Sequence, residues 1–335
     1  MLRWLGTLAL TALLLLRPGA AMAGATRAMV QWATSVAPAL FPFMALMPLL
    51  TCDEAARVWE RLLGRPMRAA LDLPGAAAPA MVVGMVAGAP AGAMSARGVA
   101  ARAGMNRGQL ARLALSTAGF SPAFLIGGVG MGLMGDAAVG WRLLQSQLLT
   151  QLTLALALRR AFRGETGPVE AQPVDGEAQP VRGAVLAVLG VCGYMALFQS
   201  AAGAVASLVG ENVAGALLCA MDAPSGARVI AGLPPVFDGA QPLLLAAVCG
   251  FGGACVALQN LEALKGCGVR ASAYFAVRAL AAGINTGYTA LLLRAGANGG
   301  AAIARTLCAK PLETAALLTA LLALPVVMRL RKSVS

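Results

Sequence analysis

Apolar residues in this chain come in long runs, separated by short clusters of arginine, glycine and proline. The runs are Leu2 to Leu16, Met29 to Leu50, Leu113 to Met134, Leu143 to Leu158, Ala184 to Val209, Pro242 to Leu258, Ala271 to Leu293 and Thr314 to Met328. A helix needs about 20 residues to cross a hydrocarbon core of about 30 Å, and several runs reach that length. They are built from Ala, Leu and Gly without the period-two alternation of barrel strands, so helices are predicted. The expected fold class is an all-α polytopic membrane protein.

The breaks between runs predict an organisation. Residues 1–24 hold Arg3, the stretch Leu5 to Leu16, and Ala20-Ala21-Met22-Ala23. They read either as a signal peptide or as a retained first span, with the retained span preferred. Residues 163–182, RGETGPVEAQPVDGEAQPVR, carry Glu165, Glu170, Asp175 and Glu177 with three prolines and no apolar run, the composition of a flexible linker. They divide a first unit, 25–162, from a second, 183–335. At an offset of 164 (268 − 104) Gly104 falls on Gly268, Gly88 on Gly252, Gly119 on Gly283 and Ser121 on Asn285, which suggests an internal repeat.

Each unit then reads as a span, an interfacial segment, a re-entrant helical hairpin, a Gly-broken transmembrane helix and a last span. In the first unit these are Met29 to Leu50, Asp53 to Arg68, Ala76 to Gly104 turning at Gly88–Gly92, Gln109 to Met134 broken at Gly119-Phe120-Ser121-Pro122, and Ala138 to Arg160. Thr51 and Glu54 predict a capping box at the start of the interfacial piece. There Arg57, Arg61 and Arg65 recur every four residues beside Val58 and Leu62, a basic helix lying on the membrane surface. In the second unit the same order predicts Ala184 to Val209, Glu211 to Leu233, a hairpin from Asp238 to Gly268 turning at Gly252-Gly253, Arg270 to Leu293 broken at Gly283–Gly287, and Leu312 to Arg329. Three crossings per unit would make the two units inverted-topology repeats, as in many secondary transporters.

Composition sharpens this picture. Of 335 residues 59% are hydrophobic and 12% charged, and mean hydropathy is +0.76, whereas soluble domains run at about a quarter charged. The net charge of +12 does not imply a nucleic-acid partner, because the arginines sit at the ends of apolar runs, where they orient spans in a lipid bilayer. Eleven of them (Arg57, Arg61, Arg65, Arg68, Arg97, Arg102, Arg107, Arg112, Arg159, Arg160 and Arg163) fall on one side in the predicted topology. That side is then the cytoplasm, with the N-terminus there too and the plasma membrane as the location. Lys265, Arg270, Arg329, Arg331 and Lys332 fall on the other side, against the rule.

Candidate chemistry is sparse. There is no histidine, none of the seven cysteines forms CxxC, and no hydrolase, P-loop or zinc motif occurs. No catalytic set, metal or cofactor is expected, and the chain reads as a non-enzyme. The run GGVGMG at 127–132 imitates a dinucleotide fingerprint but follows no predicted strand. Helix breaks free backbone groups that must be satisfied by protein or by a hydrated cavity. A ligand site is therefore expected at the first hairpin tip around Pro90, with Ser95, at the breaks around Ser121 and around Asn285 and Thr286, and in the second hairpin at Gln259, Asn260 and Glu262. For each small polar residue, helix-to-helix tethering is the competing reading. For Glu262 the competing reading is an ion pair with Lys265.

Several stretches resemble the sporulation integral membrane proteins that carry the nucleoside-recognition "Gate" domain. They are SVAPALFPFMALMPLL (35–50), RPMRAALDLPG (65–75), GMVAGAPAGAM (84–94), GFSPAFLIGGVGMG (119–132) and GFGGACVALQN (250–260), and MDAPSG (221–226) is similar to an acidic-x-Thr-x-Gly element. The resemblance runs over most of the chain from about residue 31. It implies a relation in fold to concentrative nucleoside transporters, with two re-entrant hairpins and two broken helices around a central site. Ala89 stands where such relatives tend to carry Tyr, Met94 where they tend to carry Lys, and the predicted second hairpin lacks Pro. Two functions are expected on these grounds. One is a secondary transporter of a small polar, nucleoside-like solute. The other is a non-transporting scaffold or assembly factor for an envelope process such as sporulation. Self-association into a homo-oligomer is compatible with either.

Overall fold

The computed structural model describes residues 2–160, 180–237 and 239–295, together with Phe162, Gly167 and Val169. The predicted last span at 312–329, the four linker acids and Asp238 lie outside the described residues. Among those described there is helix and no strand. In order they are α1 (Leu2–Leu16), α2 (Pro18–Gln31), a π turn (Trp32–Val36), α3 (Ala37–Leu50), α4 (Asp53–Leu71), α5 (Ala78–Ala87), α6 (Ala91–Arg102), α7 (Arg107–Thr117), a π-helical segment (Ala123–Leu133) and α8 (Ala137–Ala157). After the linker come α9 (Pro180–Ala206), α10 (Glu211–Met221), α11 (Ala223–Ala231), α12 (Gln241–Phe251), α13 (Gly253–Ala263) and α14 (Ala271–Ala295).

Two helices, Pro180–Ala206 and Gln241–Ala263, are each long and apolar enough to cross a membrane, and two bent pairs would bring the number to four. On α9 the residues Val181, Leu186, Leu189 and Leu197 stand exposed, a surface that belongs against lipid rather than water. Helices α8 and α14, at 21 and 25 residues, have spanning length. Each, however, turns a polar face inward: Ser146, Gln147, Thr150 and Gln151 on α8, and Tyr274, Arg278, Asn285 and Thr289 on α14.

The N-terminal segment that reads equally as a cleavage region is part of α2, which packs along α9. The approach is closest at two glycines. A Cβ on Gly24 would lie 2.2 Å from the Gln199 carbonyl oxygen, and one on Gly203 would lie 2.8 Å from that of Ala20. The helix leaves its regular path at the π turn just before Pro38, whose missing N–H removes a ladder bond.

Helix α4 is the expected basic helix, with Arg57, Arg61, Arg65 and Arg68 exposed. Its buried side is Ala55, Trp59, Met67 and Leu71 rather than Val58 and Leu62. Thr51 and Glu54 form no capping box. Cys52 is the N-cap, and the Thr51 hydroxyl donates back to the Met47 carbonyl at 2.9 Å. The helix ends on Asp72 in the left-handed conformation (φ 56°), and Arg112 then pairs with its carboxylate at 3.1 Å.

The repeat exists in a different register from the one expected. Helix α7 spans 107–117 and α12 spans 241–251, an offset of 134 (241 − 107), and α8 and α14 start at 137 and 271, again 134 apart. The turn between α5 and α6, Gly88-Ala89-Pro90-Ala91-Gly92, then falls on Asp222-Ala223-Pro224-Ser225-Gly226 between α10 and α11. Three corrections follow. Glu211 to Leu233 is two helices meeting at Asp222, of which α11 is mostly buried and α10 partly exposed, rather than one continuous segment. Gln241 to Ala263 is a span interrupted at Gly252, not a hairpin. Helix α14 runs unbroken through Gly283–Gly287, so the second break is at Gly252. Glycine periodicity misled the alignment, because glycines also mark helix crossings.

In both units the hairpin tip is pressed against the helix break. The Ala89 N–H donates to the Gly119 carbonyl at 2.8 Å, and a Cβ on Gly88 would lie 2.8 Å from the Ser121 nitrogen. In the second unit a Cβ on Gly253 would lie 3.0 Å from both the Ala223 nitrogen and the Met221 carbonyl.

The inner helices satisfy what the breaks free. Gln147 exchanges two hydrogen bonds with the Phe120 backbone, each 2.8 Å, and Gln151 reaches the Thr117 carbonyl at 3.4 Å. Arg278, buried in α14, serves both breaks at once. It donates to the Ala118 carbonyl of the first, and to the Gly250, Phe251 (3.2 Å) and Cys249 (3.4 Å) carbonyls of the second. A charge inside an apolar helix is costly unless partnered, and four carbonyls supply its partners here.

Two stability predictions arise. Arg278→Met strands these carbonyls, and we expect a loss of about 3–5 kcal/mol, the range for breaking a buried charged network, seen as a lower unfolding temperature in detergent. Arg278→Lys should rescue little, since one ammonium cannot span both breaks; wild-type stability of Arg278→Met would refute the clamp. Gly253→Val should also destabilise, by about 1–3 kcal/mol from its positive φ alone. Gly283→Val, where a Cβ meets open space, should be near neutral in the same measurement.

Candidate functional site

A pocket lies where the two hairpin tips and the two breaks converge. Its cavity volume is about 60 Å³. Ala87 and Ala89 line it from the first hairpin, Ser121 from the first break, Asp222 and Pro224 from the second tip, and Cys255 and Gln259 from α13. Val191 and Met195 of α9 and Ser35 at the π turn close the remaining side.

Asp222 is the centre of its polar chemistry. Its extended backbone stops α10, and its side chain caps α11. One carboxylate oxygen, Oδ2, accepts from the Ser225 N–H (3.1 Å), the Ser225 hydroxyl (2.6 Å) and the Gln199 amide (3.0 Å). The other, Oδ1, is buried with no hydrogen-bond partner, while the residue as a whole is 1% exposed. An unsatisfied carboxylate oxygen is expensive to bury. In this setting it is a ready acceptor for the donor of a bound molecule.

A polar chain continues outward from Asp222. Gln199 also donates to the Gln31 side-chain oxygen at 3.2 Å, and that oxygen accepts from Arg228 at 2.9 Å. Arg228 further reaches the Ser225 hydroxyl at 3.2 Å. Two apolar helices, α2 and α9, thus each contribute one glutamine to hold the second hairpin tip.

The structure brings part of the expected set together. Ser121 and Gln259 both line the pocket. The Ser121 hydroxyl accepts from the Phe124 N–H at 3.3 Å, and the Gln259 amide donates to the Cys255 sulfur at 3.3 Å. Pro90 is buried at the first tip beside the lining residue Ala89. Other members fall elsewhere. Ser95 is buried in α6 with its hydroxyl unpartnered, outside the lining. The Asn260 amide donates to the Tyr274 hydroxyl at 2.6 Å, fastening α13 to α14. Glu262 is exposed, and its carboxylate accepts from the Tyr194 hydroxyl of α9 rather than pairing with Lys265. Asn285 donates to the Ala246 carbonyl at 2.8 Å and Thr286 back to the Ala282 carbonyl at 2.9 Å, so both serve helix packing.

Sequence reasoning missed Gln31, Gln199, Arg228 and Arg278. A polar side chain in the middle of an apolar run was the available signal for Gln199 and Arg278. For Asp222 and Arg228 it was the shared Ala-Pro-x-Gly-Ala, at 89–93 and 223–227.

No family model matches the chain, and no solved structure matches it. The chain is 30% identical over 156 residues to the sporulation integral membrane protein YlbJ of Bacillus subtilis (strain 168). That stretch covers 47% of this chain and 38% of the length of that protein. Together with the apolar helices described above, this similarity marks the chain as an integral membrane protein.

Proposed function

We propose that the chain binds a small polar solute in the pocket between the two hairpin tips and carries it across the membrane. The observation that carries this reading is the buried, unpartnered Asp222 oxygen at a pocket bounded by broken helices. Irregular backbone at membrane depth is tolerated where it lines a cavity, and carriers place their sites at such breaks. The opposed tips and breaks fit two units of inverted topology that rock against each other. Size decides what the present conformation can hold. With about 60 Å³ open to water-sized spheres, it holds a few waters, and a solute as large as a nucleoside requires the hairpins to part. On this reading the chain is not an enzyme.

A second reading has its own support. The relative named above is a sporulation protein, and α4 presents four exposed arginines beside an apolar side, a surface suited to anionic lipid or an acidic partner. The chain would then serve as a scaffold in envelope assembly.

Protein in liposomes separates the two. A metabolite panel that includes nucleosides should yield a solute that is bound and moved. Asp222→Asn and Gln259→Ala should each weaken it by about tenfold, the worth of one hydrogen bond to a charged group or a little less. Asn285→Ala should lower stability and leave affinity unchanged. If no solute is bound or moved with or without an ion gradient, the carrier reading fails. Loss of cellular function on reversing the charges of α4, with Asp222→Asn silent, would favour the scaffold.

A further inference from the structure

Beside the central pocket lies a wider cavity of about 440 Å³. Its polar lining is Thr26, Arg27, Gln31, Thr34, Ser35 and Arg228. Arg27 and Arg228 also line a smaller recess behind it, together with Gln199 and Ser225. Two arginines, from α2 and α11, therefore line the same space.

The groups that hydrogen-bond Arg228 carry no charge. Arg228 donates to Gln31 at 2.9 Å, to the Ser225 hydroxyl at 3.2 Å and to the Gln199 side-chain oxygen at 3.5 Å, all uncharged acceptors. Those bonds fix the guanidinium in place without cancelling its charge. Among the described residues neither arginine has an acidic partner within ion-pair distance. Asp222, the nearby acid, attracts Arg228 from beyond ion-pair distance while its Oδ2 holds Ser225 and Gln199. Beside Arg27 the wall of α9 is Gly203, where a Cβ would lie 3.7 Å from its Nη2, so the recess exists because that side chain is missing.

We infer that Arg27 and Arg228 form a binding site for an oxyanion, a carboxylate or a phosphate. Planar guanidinium forks match both groups in geometry and charge, and an anion in this space is attracted by both arginines. The hydroxyls of Thr26 and Ser35 are within the same lining to donate to further oxygens. The first unit has no counterpart, because at the offset of 134 Met94 occupies the place of Arg228. This site goes beyond the carrier reading and does not require it. Its ligand is either a soluble anion or the headgroup of an anionic lipid.

The test uses the purified full-length protein in nonionic detergent, at ionic strength held constant with choline chloride. Binding and thermal stabilisation are measured with inorganic phosphate, with acetate, and with dioctanoyl phosphatidylglycerol against dioctanoyl phosphatidylcholine. We expect saturable binding of at least one anion, with an affinity lowered about tenfold or more in Arg27→Gln and in Arg228→Gln, as for loss of a charge-assisted pair. A response to phosphate or acetate identifies a soluble ligand, and a response to phosphatidylglycerol alone identifies a lipid headgroup; both sustain the site. Arg228 also holds the hairpin tip, so Arg27→Gln, at an exposed side chain, decides the matter. No saturable response, or one that is equal in wild type and Arg27→Gln, overturns the assignment.

Discussion

A broken helix in hydrocarbon leaves carbonyl and amide groups that water cannot reach, and this constraint organises the structure. The breaks at 118–122 and 252 free such groups at two places. Gln147 and Gln151 answer the first from α8, and Arg278 answers both from α14. Gln147, Gln151 and Arg278 are therefore partners for interrupted backbone. Because a single guanidinium bridges the breaks, movement at one is coupled to the other.

Recurring elements supply the frame, and the differences between them supply the polar chemistry. Hairpin, broken helix and inner helix recur at an offset of 134, and in each unit a tip is pressed against a break through glycine. The two tips differ in charge. The first carries Gly88 and Met94, and the second carries Asp222 and Arg228 at the matching places. The second tip therefore needs polar support, which comes from Gln31 and Gln199 on helices that otherwise face lipid or one another. The first unit differs in another way, through α4, whose arginines face outward and whose Trp59 and Met67 pack under the hairpin.

One acid with a free oxygen and two arginines without acidic partners thus lie within one connected polar region. The central pocket and the wider cavity share Ser35, Phe124 and Pro224 as walls. The acceptor on one wall and the donors on the other thus face neighbouring spaces.

The sequence alone determined the membrane class, the helical content, the exposed arginine stripe of α4, the turn at Gly88–Gly92 and the first break. These rest on local signals: apolar runs of spanning length, arginines at every fourth position, and Pro90 and Pro122 beside glycines in otherwise helical stretches. Tertiary structure decided the second unit. Gly252 breaks its helix, while Gly283 and Gly287 sit on an unbroken one, because whether a glycine ends a helix or only thins its surface depends on what packs against it. Gly253 faces the backbone of Met221 to Ala223, and Gly283 faces nothing. The same holds for the site. Asn285 and Asn260 read as candidate ligand groups, and the fold gives each a helix-to-helix hydrogen bond, whereas Asp222, not among the expected site residues, lines the pocket with one oxygen unpartnered. A polar side chain's role is set by whether the fold gives it a partner, and that information is not local in the chain.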